Sequence, residues 1–139
     1  MKKRMPVSMI MTKDLVTLQH DDDLLTAERL FKKHNIRHIP VVKGKKVEGM
    51  LSYSDLLRIS FADAIDDHES EVDTIVYNMF TIEQVMAKNL VKVSPYATIK
   101  DVAELLASKD FHALPVEDNN ELVGIVTTTD LINYLLDQY

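Results

Sequence analysis

Two copies of one short motif carry the side chains best suited to binding chemistry. Residues 49–55 read Gly-Met-Leu-Ser-Tyr-Ser-Asp, and residues 124–130 read Gly-Ile-Val-Thr-Thr-Thr-Asp. Each copy predicts an apolar strand that ends in hydroxyls and an aspartate where a helix begins. Hydroxyls beside free helix N-terminal amides favour an anion, whereas a carboxylate there is suited to accept hydrogen bonds from a diol such as ribose. The alternative is that Ser54, Thr129 and the two aspartates only cap their helices.

A second pair of polar segments precedes a strand in each copy. Residues 36–40 read Ile-Arg-His-Ile-Pro, and residues 111–115 read Phe-His-Ala-Leu-Pro. Arg37 is a natural phosphate partner because its guanidinium offers several fixed donors. His38 and His112 add donors whose charge depends on pH. The alternative is that all three are partly exposed residues at a strand edge.

These motifs belong to an internal repeat with an offset of 75 residues. Between Ile10 and Leu57, ten residues are identical to the residue 75 positions later, and the alignment needs no gap. A repeat dictates architecture, and two units of this size predict two similar halves that pack together. We expect one motif over residues 1–61, an acidic linker that is partly helical over 62–80, and a second motif over 81–139.

Each repeat predicts the order strand, helix, strand, strand, helix. Short strands are expected at residues 15–18 and 90–93, and helices follow Asp21–Asp23 and the candidate cap Thr98. Hairpins are expected at 38–52 and 113–127, with Gly or Asn at their tips. Residues 1–9 predict a lead-in strand or short helix. In the linker, Ile75, Val76 and Met79 suggest a helix face that either extends the preceding helix or contacts a partner.

Composition excludes several other functions. The 139 residues carry 16 Lys and Arg against 22 Asp and Glu, a net charge of −6, which argues against a dedicated nucleic-acid binder. The absence of cysteine excludes disulfides and thiolate sites, and the three glycines form no phosphate-binding loop. The histidines lack metal-ligand spacing. No signal peptide or membrane span is apparent, so a cytoplasmic location is expected.

The repeated motifs resemble the CBS domain, named after cystathionine β-synthase, present as a tandem pair or Bateman module. The family pattern is a strand ending in Leu-Pro-Val, a turn, and then Gly, two apolar residues, Ser or Thr, two further residues and Asp opening a helix. Both copies fit it, and the resemblance covers residues 7–57 and 81–136. It implies an α+β fold of two β-α-β-β-α motifs, related by a pseudo-twofold axis, with two clefts between them.

Members of this family usually bind adenosine compounds such as AMP, ADP, ATP or S-adenosylmethionine. The resemblance implies that Asp55 and Asp130 hold ribose hydroxyls, and that the nearby hydroxyls of Ser52, Ser54, Thr127 and Thr129 contact ribose or phosphate. Arg37, His38 and His112 match positions that often contact phosphate, and Gln19 and Ser94 match positions that line the base pocket. The full set implied to line the nucleotide sites also includes Pro40, Ala113 and Pro115.

The expected function is that of a stand-alone regulatory module without enzymatic activity. It senses an adenine nucleotide and signals through a homodimer or through a regulated partner chain that the sequence does not identify. The alternative is an interaction scaffold whose clefts are empty. The clefts are expected to differ in affinity, since His38 aligns with Ala113. Residues 1–61 carry +5, the linker −6 and residues 81–139 −5, which suggests head-to-tail dimers.

Overall fold

The computed structural model describes residues 4–59 and 77–139. The first range contains a 3-10 turn at Val7–Met9, then β1 (Leu18–Gln19), α1 (Leu24–His34), β2 (His38–Lys43), β3 (Lys46–Ser52) and α2 (Tyr53–Ile59). The second contains α3 (Ile82–Val85), α4 (Ile99–Ser108), β4 (Ala113–Asp118), β5 (Glu121–Thr127) and α5 (Thr128–Asp137). The predicted lead-in is therefore a short helix, while most of the predicted linker helix, including Ile75 and Val76, lies outside the described residues.

Contacts group the chain into two compact units that combine parts of both repeats. The Asp55 unit consists of Val16–Gly44 and Glu48–Asn89. The Asp130 unit consists of Met1–Leu15, Lys45–Val47 and Leu90–Tyr139. Each unit therefore joins the sheet and helices of one repeat to the segment that leads into the other repeat.

The Asp55 unit is built on a three-stranded sheet in the order β1-β2-β3. β1 runs parallel to β2, with Leu18 opposite Val41. Helices α1 and α2 contact each other and contribute apolar faces to one core. The fully or nearly buried residues of that core are Leu18, Leu24, Ala27, Phe31, Ile39, Val41, Leu51, Leu56, Tyr77, Ile82 and Met86.

The Asp130 unit repeats this plan around the antiparallel pair β4-β5. Ala113 lies opposite Thr127, and the register shifts between Val116 and Glu117. Val93 forms a parallel bridge to Val116, which is the counterpart of the Leu18–Val41 pair 75 residues earlier. The core of this unit consists of Val7, Val93, Val102, Leu114, Val116 and Val126.

The predicted first strands at residues 15–18 and 90–93 are wrong in extent. Only Leu18 and Gln19 form a ladder in the first copy, and only Val93 forms a bridge in the second. Turns limit both pairings on the C-terminal side, because the Gln19 amide donates to Asp22 Oδ2 at 2.8 Å and the Tyr96 amide donates to Ser94 Oγ at 3.1 Å. Such local side-chain bonds compete with a ladder.

The predicted helix starts are confirmed for α1 and α4. Asp23 caps α1 by accepting from the Thr26 amide at 2.8 Å, and Thr98 caps α4 by accepting from the Asp101 amide at 3.0 Å. Hydrogen bonds from the Thr26 hydroxyl and amide lower the pKa of the Asp23 carboxyl below its ordinary value.

The hairpin tips also match the sequence prediction. Gly44 has φ 65°, and Asn119 and Asn120 have φ 51° and 64°. Gly and Asn tolerate this left-handed conformation better than other residues do. The tips therefore fix the register that carries β3 and β5 to the candidate site.

Two glycines inside strands allow the lead-in segments to approach closely. Met50 and Ala87 exchange two backbone hydrogen bonds of 3.0 and 2.9 Å, beside Gly49, where an added Cβ would overlap Met86 Sδ and lie 2.9 Å from the Ala87 carbonyl oxygen. Gly124 occupies the same place in the other unit, where its Cβ would lie 2.6 Å from Met11 Sδ. The absence of a side chain at these positions is a packing requirement.

Candidate functional site

The motif aspartates close reciprocal capping boxes at the starts of α2 and α5. The Ser52 amide donates to Asp55 Oδ2 at 3.0 Å, and the Asp55 amide donates to Ser52 Oγ at 3.1 Å. The Thr127 amide donates to Asp130 Oδ2 at 2.9 Å, and the Asp130 amide donates to Thr127 Oγ1 at 3.2 Å. Each box satisfies helix-terminal amides and uses only one oxygen of its carboxylate.

The alternative role of helix capping is observed for Asp55 and Asp130, which take part in the boxes, but not for Ser54 and Thr129. Both lie inside the first helical turn, where Ser52 and Thr127 already supply the capping hydroxyl. Both side chains are exposed, and neither hydroxyl has a hydrogen bond within residues 4–59 and 77–139. These two hydroxyls therefore remain open to a ligand.

The second carboxylate oxygen has a different partner in each unit. Arg58 Nη2 lies 3.0 Å from Asp55 Oδ1, and Asp55 is only 14% exposed. In the other unit the Thr12 hydroxyl donates to Asp130 Oδ1 at 3.3 Å. The sequence interpretation missed both contacts. The i, i+3 spacing of Asp55 and Arg58 was readable along a helix, but the Thr12 contact spans 118 residues of chain.

Backbone bonds bring the polar segments before β2 and β4 to these helix starts. The Arg37 carbonyl accepts from the Tyr53 amide at 2.8 Å. The His112 carbonyl accepts from the Thr128 amide at 3.0 Å and from the Thr128 hydroxyl at 3.3 Å. Each unit therefore has one edge of its sheet, here called the rim, where both predicted motifs meet.

Arg37 lies beside a cavity on the rim of the Asp55 unit. Its side chain is exposed and has no ion pair or hydrogen bond with any residue that the structure describes. It borders a cavity of about 160 Å³ whose other lining residues are Phe31, Lys32, Asn35, Ile36 and Tyr53. His112 is exposed at the equivalent position of the other rim.

The neighbouring predicted residues have backbone roles. Pro40, Ala113 and Pro115 are buried in β2 and β4, and Ala113 lies opposite Thr127 at the rim. The Pro115 carbonyl accepts from the Val93 amide at 3.1 Å. His38 begins β2 and is half-buried. These residues shape the strands that reach the rims.

Gln19 and Ser94 lie away from the aspartate of their own unit. Gln19 is opposite Val42, four residues along β2 from His38. Ser94 follows Val93, which bridges Val116 and not the start of β4. At about 3.3 Å per residue, each lies roughly 10 Å or more along the sheet from the rim, so the structure does not bring these two residues to the aspartate within a unit.

Among residues 4–59 and 77–139, no group of three His, Cys, Asp or Glu side chains is arranged to hold a metal ion. Over the same ranges, no helix combines the length and apolar character required to cross a bilayer.

The chain belongs to the CBS domain family. The family model matches residues 7–62 and 82–137 in tandem, which confirms the resemblance of the repeated motifs. A CBS domain-containing protein of Bacillus subtilis, YhcV, is 31% identical over 121 residues, covering 87% of this chain and 79% of that protein. The chain spans only 42% of MJ1225 from Methanocaldococcus jannaschii, to which it is 28% identical.

Solved structures share the same mixed α+β fold. The CBS domain pair of MJ0100, crystallised with 5-methylthioadenosine and S-adenosyl-L-methionine, superposes with a TM-score of 0.78 at 25% identity, covering 96% of this chain and 98% of that one. CBSX2 in complex with AMP has a TM-score of 0.78 at 21% identity, with the same coverage. CBS domain pairs of this kind are regulatory modules.

Proposed function

We propose that this CBS pair is a non-enzymatic regulatory module that binds an adenine nucleotide of the AMP, ADP or ATP class at its rims. The observation that carries the proposal is that only some of the polar groups at each helix start are used to cap the helix. Ser52 and Thr127 satisfy the helix, which leaves the hydroxyls of Ser54 and Thr129 exposed and one oxygen of each aspartate outside the cap. Capping alone does not require these additional polar groups.

The remaining groups suit the parts of a nucleotide. A carboxylate accepts two hydrogen bonds from a ribose diol, and Asp55 and Asp130 take this role. Arg37 and His112 stand at the rims as cationic or neutral donors for phosphate. His38 adds a further donor. A base-binding role for Gln19 and Ser94 stays a prediction from the family resemblance.

Related structures support an adenosine ligand. MJ0100 was crystallised with 5-methylthioadenosine and S-adenosyl-L-methionine, and CBSX2 with AMP. These ligands share the adenosine group and differ in the substituent on the 5′ carbon of the ribose, which is a phosphate only in AMP. Ligand binding that favours one packing of the protein over another would alter its contacts with a regulated partner chain.

The exposed face of α5 supports homodimer formation as part of this proposal. No residue of α5 is buried, and its exposed apolar side chains follow helical spacing at Ile132, Leu135, Leu136 and, just beyond the helix, Tyr139. The second copy would present α1 and α2, whose exposed apolar residue is Leu57. The charges are complementary: α1 and α2 carry a surplus of Lys and Arg, whereas α4 and α5 carry one Lys and four acids.

A ligand-free interaction scaffold is the second candidate. The capping boxes give Ser52, Asp55, Thr127 and Asp130 a structural role that needs no ligand. Under this function the exposed α5 face would be the principal binding surface, and changes at the rims would affect stability only.

Thermal unfolding with AMP, ADP, ATP, NAD and S-adenosylmethionine separates the two candidates. A ligand at 100 times its Kd stabilises the protein by about 2.7 kcal/mol. The Asp130→Asn variant keeps an oxygen to accept from the Thr127 amide but lacks the carboxylate, so it should lose most of the shift if Asp130 binds ribose. Thr98→Ala is the matched control, since it removes a cap worth about 1 kcal/mol from the same unit and should keep the shift.

The outcomes distinguish binding from scaffolding. A shift that is retained in Thr98→Ala and reduced in Asp130→Asn, Asp55→Asn or both supports nucleotide sensing and identifies the contributing rim. No shift with any of the five compounds favours the scaffold. An equal shift in the parent protein and in all variants would place the binding site away from the rims and would refute the roles proposed for Asp55 and Asp130.

A further inference from the structure

The caps of the two motif aspartates are equivalent. Asp55 Oδ2 and Asp130 Oδ2 accept from the amide three residues earlier at 3.0 and 2.9 Å. A difference between the two rims in binding a ribose diol must therefore arise from the outer oxygens or from the groups around them.

The outer oxygens differ because two positions of the repeat differ. Arg58, which lies 3.0 Å from Asp55 Oδ1, aligns with Asn133 at the offset of 75 residues. Thr12, which donates to Asp130 Oδ1 at 3.3 Å, aligns with Ala87. One carboxylate is therefore held by a cation and the other by a neutral hydroxyl.

These two partners respond differently to an incoming diol. A guanidinium has donors only, so it competes with ribose hydroxyls for the lone pairs of the carboxylate. The Thr12 hydroxyl can rotate, and it can accept as well as donate, so it can join a network with the diol. Its 3.3 Å bond is also longer than a typical hydroxyl hydrogen bond.

We infer that Arg58 restrains Asp55, and that Asp130 is for this reason the carboxylate that binds the ribose of a nucleotide more tightly. The inference rests on the proposed function and assigns its stronger site. Arg58 is 75% exposed, so water screens the pair. An exposed ion pair of this kind changes an equilibrium by at most about fivefold, which sets the size of the effect.

Calorimetric titration with adenosine and AMP tests the effect of Arg58 in two parent variants, each of which keeps only one of the two motif carboxylates. In Asp130→Asn, where Asp55 is the remaining carboxylate, adding Arg58→Ala should raise the affinity two- to fivefold. In Asp55→Asn, adding Asn133→Arg recreates the i, i+3 pair beside Asp130 and should lower the affinity by a similar factor. Adenosine reports the diol without a phosphate contribution, and AMP shows whether Arg58 acts on phosphate instead.

Two controls separate restraint of the carboxylate from general effects. Arg58→Lys retains a cation within reach of Asp55 and should restore the low affinity. Lys33→Ala removes one exposed positive charge from α1 of the same unit and should leave adenosine binding unchanged. The gain from Arg58→Ala should also shrink as salt is raised, because screening weakens the ion pair in the parent.

The outcomes identify which statement fails. The inference is overturned if Arg58→Ala leaves adenosine binding unchanged or weakens it. It is also overturned if Asp130→Asn, which keeps Asp55, binds adenosine more tightly than Asp55→Asn, which keeps Asp130. In both cases the proposed function stands. No binding of adenosine or AMP by any variant, including those with Arg58→Ala, overturns both.

Discussion

Of the three possible Gly→Ala substitutions, Gly49→Ala should lower the free energy of unfolding most. The new Cβ would overlap Met86 Sδ and lie 2.9 Å from the Ala87 carbonyl oxygen, which is held by its hydrogen bond with the Met50 amide. Overpacking a tight site costs about 1–3 kcal/mol, and loosening that backbone bond costs about 1 kcal/mol more. The free energy of unfolding should fall by about 2–4 kcal/mol, and Tm by roughly 10 °C.

The other glycines supply graded controls for this prediction. Gly124→Ala places Cβ 3.1 Å from the Thr12 carbonyl oxygen, so its loss should be smaller. Gly44→Ala meets nothing within 4 Å but has φ +65°, and the left-handed strain alone costs about 1 kcal/mol. Urea denaturation with an unchanged m value measures all three. A Gly49→Ala variant no less stable than Gly44→Ala would refute the close-approach argument.

A double variant separates the sulfur from the carbonyl. Met86 is a flexible side chain that can move, whereas the Ala87 carbonyl is backbone. Met86→Ala should therefore lower the free energy of unfolding less in the Gly49→Ala variant than in the wild type, where it only creates a cavity. The double variant should then be more stable than the sum of the two single losses predicts. Full restoration of stability is not expected, because the carbonyl contact remains.

Two further predictions follow from the caps and the exposed helix face. Hydrogen bonding lowers the folded-state pKa of Asp23 below its ordinary 3.8, so the charged carboxylate stabilises the fold above that pH. This contribution is lost as the pH falls through the folded-state pKa. Asp23→Asn should therefore flatten the fall in stability below about pH 5, and an unchanged fall would contradict the cap. Leu136→Glu on the α5 face should shift the protein towards monomer in sedimentation while the monomer keeps its fold by circular dichroism, since the residue is 64% exposed within one chain. A wild type that is monomeric at all concentrations would exclude the dimer.

Local signals in the sequence predicted most of the fold. Asp23 and Thr98 have the type and spacing of helix caps, and Gly44, Asn119 and Asn120 are residues that accept positive φ, so short-range chemistry was sufficient there. The parallel pairings of Leu18 with Val41 and of Val93 with Val116 were less predictable. Their extent depends on where turns limit the ladder, and a run of apolar residues does not show that.

The candidate site was predictable in residue type but not in detail. The repeat identified Asp55 and Asp130, but Ser54 and Thr129 resemble caps as much as Ser52 and Thr127 do, and only the backbone path decides which hydroxyl faces the free amides. The Thr12–Asp130 contact and the placement of Gln19 away from Asp55 both depend on tertiary structure. Periodicity carries no information on either.

The exchange of lead-in segments has a consequence for how such a protein can arise. The strand around Gly49 is covered by Met86 and Ala87 from the second repeat, and the strand around Gly124 by Met11 and Thr12 from the first. In a chain with one repeat, no segment would cover the strand that contains the glycine, and the lead-in segment would have no strand to pack on. Two such chains could complete each other by swapping that segment, as in domain-swapped dimers. A gene duplication that joined them would then convert an association between molecules into a permanent feature of one chain.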